Sequence, residues 1–349
     1  MSQGLDINQI ANDIQTYIDQ GNFYDTVEKD SIPKVMDKTN LNSNDFTKLL
    51  SQGKTKYGAS KLYKLSRKCD VSINSMEDVI NVLQIYDNLF KLKSSHSIID
   101  YLENQYISNY AKLAELPMDS DFDTVYKYLK GLSDQGDKLR MSIACAAKLS
   151  EVRDSDEFTP LLYACYDNNL QLVKSLIEGG CNKNAVTKSG SNCLLLASFD
   201  GYLEIVKYLI EAGFDKDWRK QSNKFNAILC ASQKGHLETV KYLKSIGCDV
   251  NSKQKGNSNC IYCAATEGHL ETIQYLVSAG CNPDEKDVSG ITPLNVASRY
   301  GFYEVVKYLL ECGCNKDAID NGGMKPIDYA KEKQFESDNY RKIVDLLNQ

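Results

Sequence analysis

The stretch GHLETVKYLKSIGCDVN, residues 235–251, decides the fold because close copies of it return along the chain. GHLETIQYLVSAGCNPD begins at Gly268 and GFYEVVKYLLECGCNKD at Gly301, each 33 residues after the copy before it. An earlier copy, GYLEIVKYLIEAGFDKD, begins at Gly201, 34 residues before Gly235. A fixed period of this length indicates a repeat architecture, in which one supersecondary unit is stacked on the next.

Aligning the chain on the Ala that precedes each Gly-x-x-Glu phrase predicts six units. They start near Asp154, Thr187, Gln221, Gln254, Asp287 and Asp320, with one extra residue before Gln221. We therefore expect repeats at 154–186, 187–220, 221–253, 254–286, 287–319 and 320–349. In the last unit SDNYRKIVDLLNQ replaces the repeated phrase and carries charge outward, so it is interpreted as a capping helix.

The opening phrase of these units resembles that of the ankyrin repeat, which has a 33-residue period and begins Thr-Pro-Leu-His-x-Ala. The matching phrases are TPLLYA (159–164) and TPLNVA (292–297), with weaker forms NCLLLA (192–197), NAILCA (226–231), NCIYCA (259–264) and KPIDYA (325–330). The resemblance covers residues 154–349. It implies an all-α fold, an ankyrin-repeat solenoid of helix-turn-helix units with short hairpin-like turns.

Each residue type in a unit fits one position of such a helix pair. Thr or Asn caps the first helix by accepting backbone N–H groups, and proline at 160, 293 and 326 suits the first helical position. Small alanines let helices approach closely, and glycines suit the turn between helices and the helix end. These are Ala164, Ala197, Ala231, Ala264 and Ala297; Gly201, Gly235, Gly268 and Gly301; and Gly213, Gly247, Gly280 and Gly313.

The second helix of a unit is amphipathic, with Leu203, Val206, Leu209 and Ile210 predicted on one face of the copy in LEIVKYLIEAG. A helix pair of this kind cannot bury its apolar face alone, so neighbouring units bury it for each other. The Gly-Cys that ends several copies places a thiol where the ankyrin family usually has Ala. These cysteines, expected to fill Ala-sized sites, are Cys181, Cys248, Cys281 and Cys314.

Residues before 154 show helical periodicity without the repeat. Residues 1–116 are predicted to form a small α-helical bundle, with amphipathic helices at 75–92 and 97–116. The region 117–153 is predicted to form a helix pair that caps the solenoid at its N-terminal end. The N-terminal half also looks like the helical leader that precedes ankyrin arrays in large protist families.

Composition excludes several classes of protein. The chain has 41 Lys and Arg against 47 Asp and Glu, a net charge of −6, so nucleic acid is disfavoured as a partner. The first residues, MSQGLDINQIANDIQTYIDQG, do not form a secretory signal, and no run approaches the length of a membrane span. Twelve cysteines in such a chain indicate reduced thiols and a cytoplasmic location, although composition does not distinguish cytoplasm from nucleus.

No metal, cofactor or catalytic site is expected. Cys260 and Cys263 form a C-x-x-C pair, but they fall within a helix, and Cys230 lies one repeat away, about 8–10 Å in a helical stack. His236 and His269 occupy the Gly-His turn, which the ankyrin family uses for packing, and nothing marks His96 as catalytic. Phosphate-binding and nucleophile motifs are absent from the sequence, so the chain is not interpreted as an enzyme.

The resemblance implies that partners bind along the concave face, through turn tips and the exposed side of each first helix. The second, third, fifth, thirteenth and fourteenth residues of each unit would form this surface, which we call the strip. Its aromatic residues could instead pack into the turns, as we expect of Phe158 and Phe225. Candidate partner-binding residues on or next to the strip are Tyr166, Asp167, Lys188, Phe199, Asp200, Trp218, Phe225, Lys234, Glu267, Arg299 and Tyr300.

The sequence therefore favours a non-enzymatic scaffold or adaptor that binds another protein through the strip. A second hypothesis is a regulatory or inhibitory subunit that docks an enzyme, with residues 1–116 as its effector end. An enzyme within residues 1–116 would need a deep polar cleft there. The sequence names no partner, and it leaves self-association open.

Overall fold

The structure, a computed structural model, describes residues 7–27, 31–54, 70–72 and 120–349. The helices predicted at 75–92 and 97–116, and His96 between them, lie outside these residues. The chain divides into two compact units, Met1–Val152 with Glu178–Cys181 and Arg153–Ile177 with Asn182–Gln349. No helix in the described part of the chain is both long enough and apolar enough to span a membrane.

The first unit begins with short helices around a small apolar core. Phe23, Met36 and Phe46 are fully buried there, which explains how the four shortest helices, of only one or two turns each, are held. The helices are Ile7–Asn12, Ile14–Asp19, Phe23–Thr26, Ile32–Met36 and Ser43–Lys54. Two three-residue strands, β1 (Asn40–Asn42) and β2 (Asp70–Ser72), pair in parallel, a feature that the helical prediction for 1–116 missed. Strands this short show no alternating pattern by which a sequence reveals them.

Two longer helices follow in the same unit, Phe122–Asp134 and Lys138–Ala146. An aspartate caps each: Asp121 accepts the Thr124 N–H at 2.8 Å, and Asp137 accepts the Arg140 N–H at 2.9 Å. Both helices were predicted from the sequence. Their role as the N-terminal cap of the solenoid stays a prediction.

The second unit consists of six consecutive helix pairs. In each pair a first helix of six to eight residues is followed, after a tight turn, by a second helix of nine to eleven. The first helices of neighbouring repeats pack on one another, as do the second helices from repeat 2 to repeat 6. The pairs are Pro160–Tyr166 with Leu170–Glu178, Cys193–Phe199 with Leu203–Glu211, Ala227–Gln233 with Leu237–Ser245, Cys260–Ala265 with Leu270–Ser278, Pro293–Tyr300 with Tyr303–Glu311, and Pro326–Glu332 with Asp338–Asn348.

The predicted caps hold the first helices. Thr159, Asn192, Asn226, Asn259 and Thr292 each accept a backbone N–H from three residues ahead. The sixth repeat has Lys325 at this position, which cannot accept such a bond. There the cap is reversed, because Asp328 accepts the Lys325 N–H at 2.9 Å. The helices at 160, 293 and 326 begin at proline, as predicted.

The turn glycines have a packing role in addition to their left-handed backbone. Gly201 has a φ of +75°, and a Cβ placed on it would lie 2.3 Å from Nδ1 of His236 in the next repeat. The ring of His269 covers Gly235 in the same way, and the rings of Phe302 and Tyr340 cover the two glycines that follow along the array. At these four turns, glycine therefore leaves room for the ring of the next repeat to stack closely.

The core between helices consists of small and branched side chains. The five predicted alanines of the first helices are completely buried. In the second helix of repeat 2, Ile205, Val206 and Leu209 are fully buried, whereas Leu203 and Ile210 are half-buried. The buried face of this helix is therefore rotated from the predicted one toward Ile205. The reason is that the helix packs both against the first helix of its own repeat and against the neighbouring repeat.

The thiols of the Gly-Cys pairs are buried, and two of them make a contact that an Ala could not. The Cys248 thiol donates to the carbonyl of Lys216 at 3.8 Å, and the Cys314 thiol donates to the carbonyl of Pro283 at 3.6 Å. Each acceptor lies in the turn of the preceding repeat. These weak bonds explain why a thiol serves there as well as a methyl group.

Candidate protein-binding surface

The turns of the array are joined edge to edge by backbone hydrogen bonds. Lys188 N–H donates to the Asp156 carbonyl at 2.9 Å, which joins the turns of repeats 1 and 2. Lys255 to Asn223, Val288 to Gly256 and Asn321 to Ser289 repeat the same bond further along, at 2.7 to 2.9 Å. Where this bond is made, neighbouring turns form an edge on which the second and third residues of the units are presented.

This edge is interrupted between repeats 2 and 3. Within the described backbone, no hydrogen bond of this kind joins their turns. The extra residue found in the sequence lies inside the third turn, which closes from Lys220 N–H to the Phe225 carbonyl, whereas the fifth closes from Asp287 to Ile291. Lys220, and not Gln221, therefore occupies the position that starts the other turns.

The first residue of an ordinary turn is an acceptor. Asp154 accepts the N–H groups of Asp156 and Phe158 at 2.9 and 2.8 Å, and Asp287 does the same for Ser289 and Ile291. A lysine cannot accept these bonds. The Lys220 side chain instead reaches across to repeat 2, where Nζ lies 3.4 Å from Ser191 Oγ.

A pocket of about 490 Å³ opens at the same place. Phe199, Leu195 and Leu196 line it from repeat 2, and Lys220, Phe225 and Gln233 line it from repeat 3. Phe225 is half-buried in its wall, which fits the expected packing role and also leaves part of the ring accessible. The pocket brings the predicted residues Phe199 and Phe225 together.

Phe199 belongs to a cluster that crosses three repeats. Lys234 Nζ lies 4.9 Å from the centre of its ring and donates to both Glu267 carboxylate oxygens, at 2.9 and 3.1 Å. His236 Nε2 lies 2.9 Å from the Phe199 carbonyl oxygen. Two predicted contact residues, Lys234 and Glu267, therefore form an ion pair with each other, so Phe199 is held in place while 39% of it remains exposed.

The strip also carries exposed tyrosines at both ends. Tyr166 is 52% exposed and stands edge-on to Phe158 and Tyr163, with ring centres 5.8 and 6.0 Å apart. Tyr300 is 49% exposed, and the guanidinium of Arg299 lies 6.0 Å from its ring centre. Aromatic and Arg side chains are frequent energetic anchors of protein interfaces.

The other predicted residues are more scattered. Asp167 and Lys188 are exposed at the end of the first helix and in the turn. Asp200 is half-buried, and desolvation raises the pKa of its carboxyl against the opposing effect of His236 and Lys234. Trp218 does not join the pocket at Phe199; it lines a separate pocket of about 190 Å³ with Phe214 and Asp215.

The cysteines are placed for packing. Cys260 and Cys263 lie in one helix, as predicted, and burial raises the pKa of the Cys263 thiol to about 12. Burial raises the pKa of the Cys230 thiol to about 12 as well. Thiols with such values are almost wholly protonated near neutral pH, which makes them poor nucleophiles. Among the residues that the structure describes, no cluster of His, Cys, Asp and Glu is suited to a metal ion.

The fold and the strip define a repeat protein whose stacked helix pairs present a row of turns and helix ends. The family model described as "Ankyrin repeats (3 copies)" matches residues 127–220, 212–287 and 261–348. The chain therefore belongs to the ankyrin-repeat family. Ankyrin repeats are generally protein–protein interaction modules and are typically not catalytic. No curated protein matches the chain.

Proposed function

We propose that this protein is a non-enzymatic scaffold or adaptor that recognises a protein partner through the strip. The observation that carries the proposal is the row of exposed aromatic side chains at the ends of the first helices, Tyr166, Phe199 and Tyr300. Tyr166 and Phe199 share one position of the repeat and Tyr300 holds the next, so all three are presented on one side of the array, in repeats 1, 2 and 5. Family membership supports a protein as the partner.

A triple substitution tests this proposal. Tyr166→Ala, Phe199→Ala and Tyr300→Ala together remove the aromatic anchors, and each side chain is exposed enough for the fold to tolerate its loss. We expect the variant to lose the proteins that the wild-type chain captures from an extract of its own cells. Circular dichroism and thermal unfolding show whether the array remains folded.

A matched control comes from the sixth repeat, where Phe335 is 88% exposed and lies off the strip. Phe335→Ala should retain every captured protein, although it removes a more exposed ring than any of the three. If the triple variant is folded and still captures the same proteins as the wild type, the proposal is wrong. Capture of a catalytic subunit through residues 1–116, independent of the strip, would favour the regulatory-subunit hypothesis.

A further inference from the structure

The departure of repeat 3 from the 33-residue period coincides with the 490 Å³ pocket. The inserted residue lengthens the third turn, the backbone bond between turns 2 and 3 is missing in the described backbone, and the pocket opens between those turns. A repeat array gains nothing in stability from such a gap, since neighbouring repeats stabilise each other through their contacts. The irregularity therefore points to binding.

The lining of the pocket combines an apolar floor with one positive charge. Phe199, Leu196 and Phe225 supply the apolar surface, and Lys220 is the only charged residue in the lining. The Lys220 side chain lies over the turn of repeat 2, where a Cβ on Gly190 would be 3.9 Å from its Cγ and Cε. Its volume falls within the roughly 300–1,000 Å³ of typical ligand pockets.

Three further lysines lie in the turns of repeats 2 to 4. Lys224 and Lys255 are exposed in the turns of repeats 3 and 4, and Lys188 is exposed in the turn of repeat 2. Within the described residues, no carboxylate forms an ion pair with these three lysines or with Lys220. Lys234, by contrast, is neutralised by Glu267 and faces Phe199.

Two acidic residues adjoin these groups but lie outside the pocket lining: the Asp156 carbonyl accepts the Lys188 N–H, and Asp200 follows Phe199 in the chain. Asp156 is in the turn of repeat 1, and Asp200 is half-buried at the end of the first helix of repeat 2, beside His236 and Lys234. The side chains that line the pocket therefore carry one positive charge and no negative charge, which favours acidic ligands over basic ones.

We propose that the pocket between repeats 2 and 3 binds one large apolar side chain of an acidic peptide segment in the partner. The apolar side chain lies between Phe199 and Phe225, and a neighbouring Asp or Glu of the peptide pairs with Lys220. This inference rests on the proposed function and assigns to it a partner chemistry. It makes the pocket the specificity-determining part of the strip.

Two variants change the pocket without touching the core. The first replaces residues 220–225 with Asp-Val-Ser-Gly-Ile, the sequence of the regular turn at 287–291, which restores the 33-residue period and removes Lys220. The second is Lys220→Glu, which keeps the turn and reverses its charge. Lys307→Glu is the matched control, because Lys307 is an exposed lysine on the second helix of repeat 5.

The probe is a phage-displayed library of random dodecapeptides selected on the full chain. We expect enriched peptides to combine Asp or Glu with a nearby Phe, Trp or Leu. A synthetic copy should bind the turn replacement and Lys220→Glu about tenfold or more weaker than the wild type, and Lys307→Glu equally well. If the turn replacement does not fold, Lys220→Glu alone decides.

The outcomes separate this inference from the proposed function. Peptides that bind equally to wild type and both pocket variants but lose affinity with the triple strip variant would overturn the pocket and leave the strip intact. Peptides that bind the pocket variants and the triple strip variant as tightly as the wild type would overturn both the pocket assignment and the proposed function. Enrichment of basic peptides, or of none, would overturn the pocket assignment.

Discussion

Gly201 and Gly213 have the same left-handed backbone and different surroundings. Their φ angles are +75° and +86°, but a Cβ on Gly201 meets the His236 ring, whereas a Cβ on Gly213 meets nothing within 4 Å. An alanine at Gly213 would therefore meet backbone strain alone, whereas an alanine at Gly201 would meet backbone strain and a clash with the next repeat. The difference arises because Gly213, at the helix end, faces solvent, whereas Gly201, in the turn, faces the next repeat.

We expect Gly201→Ala to destabilise the array more than Gly213→Ala. The left-handed conformation costs about 1–2 kcal/mol in either variant, and displacing the His236 ring adds roughly 1–3 kcal/mol. Urea unfolding of the two variants, followed by circular dichroism, measures the difference. Equal losses of stability would contradict the stacking role of the turn glycine.

Single residues of the strip differ in how far the sequence reveals them. The exposed positions of Tyr166 and Tyr300 follow from the repeat alignment, since every copy presents the same face. The pairing of Lys234 with Glu267 does not, because it joins residues 33 apart through the spacing of stacked helices. The sequence likewise showed an extra residue near Gln221 without showing that it lengthens the turn and opens a pocket.

At the scale of elements, the turn of repeat 6 is stabilised by a carboxylate. Asp320 accepts the N–H groups of Gly322 and Met324 at 2.8 and 2.9 Å and receives a hydrogen bond from the Tyr329 hydroxyl. The bond from Tyr329 is the main reason that the pKa of Asp320 is lowered, and burial together with Asp320 raises the pKa of Tyr329 to about 12.

A pH dependence follows from the lowered pKa. Because the folded chain holds Asp320 at a lower pKa than the unfolded chain does, its carboxylate stabilises the fold above the ordinary Asp value. That contribution is lost as the pH falls through the lowered value. We expect Asp320→Asn to lower the melting temperature at neutral pH by roughly 1–3 °C and to flatten its fall below about pH 4.

Asp156 offers a control for this prediction, since it is an exposed turn aspartate whose carboxylate makes no hydrogen bond within the described residues. The melting temperature of Asp156→Asn should follow the wild-type curve across the whole range. An Asp320→Asn curve parallel to that of the wild type below pH 4 would show that the Tyr329 contact does not hold the carboxylate in its charged form.

The elements themselves were predictable where their chemistry is local. N-caps, proline positions and turn glycines act within a few residues, so each phrase of the repeat specifies its own helix. Strands β1 and β2 were not predictable, because three residues carry no pattern and their pairing joins positions 30 residues apart. The thiol bonds of Cys248 and Cys314 were missed for the same reason, since their acceptors lie in the preceding repeat.

At the scale of the whole molecule, the array is stabilised between nearest neighbours. The final helix, Asp338–Asn348, packs on both Tyr303–Glu311 and Pro326–Glu332. Its residues Tyr340 and Ile343 are buried, and Tyr340 donates to the Arg299 carbonyl at 3.1 Å, as His236 contacts that of Phe199. Removing this helix exposes the apolar side of repeat 5 and of the remaining helix of repeat 6.

We expect a chain that ends after Ser337 to lose protection in the last repeats first. Amide hydrogen exchange in Tyr303–Glu311 and Pro326–Glu332 should become faster, while that in Pro160–Tyr166 stays close to the wild-type rate. Exchange that accelerates equally along the array would show one cooperative unit. Unchanged exchange in repeats 5 and 6 would show that the last helix is no cap.

The central claim is that a protein partner binds along the strip. The most direct measurement is the hydrogen-exchange footprint of the captured partner on the full chain. We predict slower exchange in the turns and first helices of repeats 2 and 3, residues 188–200 and 220–234, and unchanged exchange in the second helices, Leu203–Glu211 and Leu237–Ser245. A footprint confined to those second helices, or to residues before 154, would contradict the account.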